Sequence, residues 1–161
     1  MSSEEENSDS LIYEIVADRF QQEWRRTNDL DSKANNVTGF AGLLATLSGG
    51  ITAGLTQIYP KMHHTNLFII PLIVFVVSAF FGLMSYWLTS FSAIDPEALI
   101  REYKNKTKTE VIRRVAPTIS ILTMENFQRN QRKVICLYLA FSLLVAAIAL
   151  FFAVTIVNIV Y

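Results

Sequence analysis

The sequence predicts an all-α, polytopic membrane protein with three transmembrane helices and a helical cytoplasmic bundle, and three observations carry that prediction. Hydrophobic residues make up 52% of the 161-residue chain and gather in three runs, 37–59, 67–91 and 134–161, none of which contains Asp, Glu, Lys or Arg. Each run is long enough for a bilayer core, which takes about 20 helical residues at a rise of about 1.5 Å each. A charge at mid-bilayer costs about 2.5 to 3.5 kcal/mol on insertion scales, so the uncharged runs suit lipid. The other two observations are a one-sided distribution of basic residues and helical periodicity in the segments between the runs.

Residues 1–10, with Glu4, Glu5 and Glu6 together, read as an acidic disordered tail. The lack of a cationic segment ahead of a short apolar one argues against a cleaved signal peptide. Residues 11–36 then place Leu11, Ile12, Ile15, Val16, Phe20 and Trp24 at spacings near three and four, as an amphipathic cytoplasmic helix does. No Pro or Gly separates it from the first span, 37–59, so the helix is expected to continue into the membrane. Pro60 ends that span, and 60–66 form a short external turn. His63 and His64 are adjacent there and point in different directions on a helix or strand, a poor start for a metal site. Pro71 falls in the first turns of the second span, 67–91, where few hydrogen bonds are lost.

In the segment 92–133, Asp95-Pro96-Glu97 combines an N-cap acceptor, a proline at the first helical position and an acid at the positive helix end. A short helix should run from there to about Lys104. Another is expected from about Thr109 until Pro117 interrupts it, and a last one leads through Ile119, Leu122 and Phe127 into the third span, 134–161. Cys136, the single cysteine, allows no intrachain disulfide; it reads as a small packing residue, with an interchain bond or a reactive thiol as alternatives.

Thirteen of the fourteen basic residues precede the first span or lie between the second and third. The positive-inside rule makes those segments cytoplasmic, which puts the protein in the cell membrane with its N-terminus inside and its C-terminus outside. Tyr86, Trp87 and Tyr138 then fall near the inner boundary and Tyr59 and Tyr161 near the outer one, as interfacial aromatics should. Residues 1–36 carry five net negative charges and 92–133 four net positive ones, so the two are expected to pack together by mutual attraction. The alternative is that the basic segment meets anionic headgroups of the lipid bilayer.

The first span is built differently from the others, holding five of the six glycines. On a helix Gly39, Gly42, Thr46, Gly49 and Ala53 form one stripe of small and polar groups, extended by Asn35 and Gln57, with Thr38, Ala45, Thr52 and Thr56 as a neighbouring row. Such a stripe permits close helix packing, or it lines a narrow uncharged pore within an oligomer. Three helices cannot enclose a conduit alone, so a pore needs a homo-oligomeric ring. No catalytic constellation, phosphate loop or metal-ligand cluster stands out, so neither an enzyme nor a cofactor is expected. The basic residues lack the aromatic interleaving of a nucleic-acid surface.

The run Asp29, Leu30, Asp31, Ser32, Lys33, Ala34, Asn35, Asn36, leading into the glycine-rich span, resembles the D-x-K-A entrance of small prokaryotic membrane proteins of the SLATT and Pycsar transmembrane-effector type. Asn126, Asn130 and Lys133 ahead of the third span are a second point of likeness. The resemblance implies an effector of antiviral or conflict systems that permeabilises membranes in response to a nucleotide signal, although this chain has no recognisable nucleotide-binding domain. An oligomeric pore-forming subunit gated through its cytoplasmic helices is the leading expectation. The alternative is a non-conducting anchor or adaptor whose cytoplasmic helices bind a partner protein.

Overall fold

Long helices dominate the chain. The computed structural model describes residues 3–58, 65–88, 91–104 and 106–160. Among them are α1, Ser3–Ile58; a 3₁₀ turn, Thr65–Phe68, leading directly into α2, Ile69–Trp87; α3, Pro96–Tyr103; and α4, Lys108–Val160. No strand occurs among the described residues, and three helical segments are long and apolar enough to cross a membrane. The histidine pair and most of the expected turn at 60–66 lie outside the described residues.

Three details differ from the sequence reading. Residues 3–10, expected as a disordered tail, belong to α1; a run of glutamates suits the positive end of a helix dipole. The second apolar helix stops at Trp87, with Leu88 closing it on the Met84 carbonyl at 3.3 Å, instead of continuing to Phe91. Pro117 does not interrupt α4, which runs unbroken through it. A proline forfeits only its own N–H bond and crowds one carbonyl. Here Pro117 is exposed while Val115, Ala116 and Ile119 on the other side of the same turns are buried, so packing holds the helix through that loss.

Two compact units divide the chain, one comprising Met1–Asp29 and Ser90–Gln131, the other Leu30–Thr89 and Arg132–Tyr161. The first is the charged unit. Phe91 is held there between two aromatic edges, with ring centroids 5.3 Å from Phe20 and 4.6 Å from Trp24, and Arg26 lies 5.5 Å from the Phe127 ring centre. Each aromatic pair of this geometry is worth about 0.5 to 1.5 kcal/mol beyond its buried area. Asp95 caps α3 as its sequence predicts, accepting the Glu97 N–H at 2.9 Å. α4 begins on a reciprocal cap: the Glu110 carboxylate accepts the Thr107 N–H at 3.1 Å, and the Thr107 hydroxyl accepts the Glu110 N–H at 3.4 Å.

The second, apolar unit packs α1, α2 and α4 on a row of small residues. On α2 the buried residues are Pro71, Phe75, Ser78, Gly82 and Ser85, alternating by four and three. That heptad spacing matches the repeat of coiled-coil-like packing. Two side chains of the row donate to α4 carbonyls, Ser78 to Ala140 at 2.7 Å and Ser85 to Lys133 at 3.2 Å. As numbers rise on α2 they fall on α4, so these helices are antiparallel. Ala34 and Ala41 on α1 and Ala140 and Ala147 on α4 are fully buried and, with Phe75 and Leu144, fill the centre. Where lipid surrounds the helices, association rests on such close contact and on interhelical hydrogen bonds.

Gly82 marks the tightest approach. A Cβ there would collide with the Thr38 hydroxyl oxygen and lie 3.5 Å from the Ala34 carbonyl oxygen, both on α1. Gly82→Ala should therefore destabilise the apolar unit by about 1 to 3 kcal/mol, the usual cost of overpacking. Adding Thr38→Ala, which removes the colliding atom, should recover most of that loss in thermal unfolding of the detergent-solubilised chain.

The Glu110 carboxyl is held below the usual glutamate value, first by the backbone N–H of Thr107 and then by its hydroxyl. A folded-state value below the unfolded one means the cap contributes fully above the unfolded value and is lost as pH falls through the folded one. Thr107→Pro removes the principal donor, so in an NMR titration the Glu110 midpoint should rise toward that of an unperturbed glutamate.

Candidate functional site

Three groups of residues drew notice in the sequence: the α1 stripe, the entrance residues Asp31, Lys33 and Asn35, and Asn126, Asn130 and Lys133 on α4. The α4 residues are the largest fully buried polar side chains among the described residues, each 1% exposed. Burying an amide or ammonium without a partner costs several kcal/mol, so the partners decide what these residues do. Every buried side-chain nitrogen and oxygen among the described residues has one.

In the charged unit, Asn126 pairs with the main chain of Ser92, accepting its N–H and donating to its carbonyl, both at 3.0 Å. An amide is the side chain that supplies donor and acceptor at that spacing. Arg129 adds a bond to the Ser92 hydroxyl at 2.8 Å, so α4 holds the residues that follow α2 by main chain and side chain together. One turn on, Asn130 donates to the Glu23 carboxylate at 2.8 Å and lies 3.0 Å from the Thr27 hydroxyl, which also reaches the Glu23 carbonyl at 2.9 Å. Glu23, Thr27 and Asn130 thus link α1 to α4.

In the apolar unit, Lys133 is enclosed by its neighbours and its ammonium lies 2.6 Å from the Asp31 carboxylate. The Lys133 carbonyl accepts the Ser85 hydroxyl, so one residue of α4 is tied to both α1 and α2. Asp31 is half-buried, whereas Lys33 and Asn35 are exposed. The entrance residues therefore divide, with Asp31 inside the packing and the other two on the surface.

The stripe is exposed along its length, although Gly49 and Ala53 also line a shallow groove shared with Phe68 and Leu72 of the same unit. Gly39, Gly42, Thr46, Gly49, Ala53 and Gln57 are all exposed, and a Cβ added at Gly39, Gly42, Gly49, Gly50 or Gly54 would meet nothing within 4 Å. Helix contact runs instead through Ala34, Thr38, Ala41, Ala45 and Ser48, on a different side of α1. The Thr46 hydroxyl donates to the Gly42 carbonyl of its own helix at 3.0 Å. A glycine in a helix interior costs about 1 kcal/mol against alanine, and at these five positions no close approach among the described residues calls for one. Glu23, Thr27, Ser78, Ser85 and Ser92 are the polar partners that sequence inspection does not single out. The 4–3 spacing of the serines with Phe75 and Gly82 is the signal that would have found two of them.

Removing one member of a buried ion pair strands the other, typically at about 3 to 5 kcal/mol, whereas replacing both by apolar residues is often neutral. Asp31→Asn and Lys133→Met should each lower thermal stability strongly. Asp31→Leu alone should do the same, and Asp31→Leu combined with Lys133→Met should lose much less than the sum of those two singles in a double-mutant cycle. No family model, curated protein or solved structure matches the chain, so its functional reading rests on its own residues.

Proposed function

We propose that this chain is a multi-pass cell-membrane protein, N-terminus cytoplasmic and C-terminus external, that assembles with copies of itself through the α1 stripe and permeabilises the membrane. The observation that carries the proposal is the outward-facing row of Gly39, Gly42, Thr46, Gly49, Ala53 and Gln57 with open space around its glycines. Small residues let backbones approach closely, and helices that meet along such a row form tight, symmetric contacts. With the stripe turned to a common axis, the wall would carry hydroxyls, backbone carbonyls and the Gln57 amide, an uncharged lining of moderate polarity. A conduit has to lie between copies, because the interior of the apolar unit is filled by Ala41, Phe75, Leu144 and Ala147. The likeness of residues 29–36 to the entrance of membrane effectors supports the same reading.

Control from the cytoplasm is part of the proposal. α1 and α4 each contribute to both units and are continuous helices, so the charged unit and the apolar one share covalent, regularly hydrogen-bonded segments. A second reading, a non-conducting adaptor, is favoured by a groove of about 880 Å³ in the charged unit. Its floor includes Ala17, Val111, Ile112 and Val115, and its rim Glu14 and Asp18. Such a groove suits a partner protein.

Vesicles reconstituted with the purified chain should leak a small dye, and Thr46→Leu or Gly49→Leu should change that leak about tenfold or more while leaving thermal stability near that of the parent. Tight parent vesicles that nonetheless capture a soluble protein on the charged unit would favour the adaptor instead.

A further inference from the structure

A second surface of the apolar unit has a polarity gradient of its own. α1 and α4 flank a groove of about 620 Å³, open along its length. At one end the exposed Lys33 and Asn36 of α1 and Tyr138 of α4 stand over the less exposed Leu30, Val134 and Leu137; further along, Val37, Phe40 and Phe141 line it, with the buried Leu144. Asp31 is bonded to Lys133, and Lys33 makes no ion pair among the described residues. The groove therefore has an available cation, an amide and a phenol on its exposed rim at one end, over a hydrocarbon lining that continues beyond them.

We propose that this groove binds one anionic phospholipid of the cytoplasmic leaflet, its phosphate held by Lys33, Asn36 and Tyr138 and an acyl chain lying along Val37, Phe40 and Phe141. The gradient is that of the ligand: cation and hydrogen-bond donors where a phosphate sits, apolar side chains where its tail lies. Chain order gives the matching direction, since Lys33 and Asn36 precede Phe40 along a helix entering from the cytoplasm, and cationic pockets on that side take acidic headgroups. A second copy of the chain is a poorer occupant, because the groove and the stripe lie about half a turn apart around α1 and a stripe-to-stripe assembly leaves the groove facing lipid. The proposal rests on the membrane reading above and is independent of whether the assembly conducts.

Native mass spectrometry of the detergent-solubilised full chain, incubated with equal amounts of phosphatidylglycerol and phosphatidylcholine, tests it. The chain should retain one phosphatidylglycerol in preference to phosphatidylcholine. Lys33→Gln, a change on the surface, should lower that retention about fivefold, in line with one lost basic contact at a membrane surface. Leu137→Trp, which fills the groove and leaves Lys33 in place, should lower it as well. Equal retention of the two lipids, or unchanged phosphatidylglycerol retention in Lys33→Gln, would overturn the proposal. High-yield cross-linking of Phe141→Cys between copies, in a Cys136→Ala background, would also overturn it by placing protein where the lipid should lie. Dye leakage from vesicles reconstituted with the same purified variants separates these outcomes from a failure of the permeabilising function, since leak and lipid retention are read independently.

Discussion

The buried contact between Lys133 and Asp31 constrains how α4 can sit against α1 in the apolar unit. An ammonium that is 1% exposed has few tolerable positions, and a carboxylate at 2.6 Å defines one of them. Because the carbonyl of the same lysine accepts the Ser85 hydroxyl, a single residue sets the height of α4 against α1 and α2 together. Ser78 repeats the arrangement seven residues away, on the Ala140 carbonyl. Two such bonds separated by a heptad leave little freedom to slide, since a one-residue shift would rotate both hydroxyls off their acceptors. Alanine, serine and glycine on the facing rows then let the backbones approach closely enough for those bonds to form.

That packing bears directly on function because it consumes one face of α1 and leaves another. Intrachain contact is made by Ala34, Thr38, Ala41 and Ser48, so the glycines beside them are not needed to let α2 or α4 in. Gly82 shows what a required glycine looks like in this protein, with the Thr38 hydroxyl where its Cβ would be. Gly39, Gly42 and Gly49 have open space instead. Gly39, Gly42 and Gly49, together with threonine and glutamine in an apolar helix, are the features on which the proposed assembly of copies rests.

Much of the architecture could be read from the sequence, and the reasons for success and failure differ by element. The three apolar helices were legible because length and lack of charge are properties of whole segments. The start of α3 was legible because Asp95, Pro96 and Glu97 act through local geometry alone. Pro117 was misread for the opposite reason: its local preference was overridden by buried Val115, Ala116 and Ile119. Within the spans the packed faces were obscured, since hydrophobic periodicity has no contrast when nearly every residue is apolar. Size and polarity carried the information there, and on α1 they marked the exposed stripe more loudly than the packed row of alanines and serines. Asn126, Asn130 and Lys133 stood out by position and resemblance, but their partners depend on residues roughly 30 to 110 positions away, which no local pattern encodes.

Copy number is the property that most directly separates a stripe that meets its counterpart from one that faces lipid. Stepwise photobleaching of singly labelled chains in native-like nanodiscs, at protein-to-disc ratios low enough to exclude chance co-occupancy, counts copies per particle without requiring conduction. Three or more steps in the parent, falling toward one when Gly42, Thr46 and Gly49 are replaced by leucine, is the expected result. A single step in the parent, or a higher count that those leucines leave unchanged, would contradict assembly through the α1 stripe.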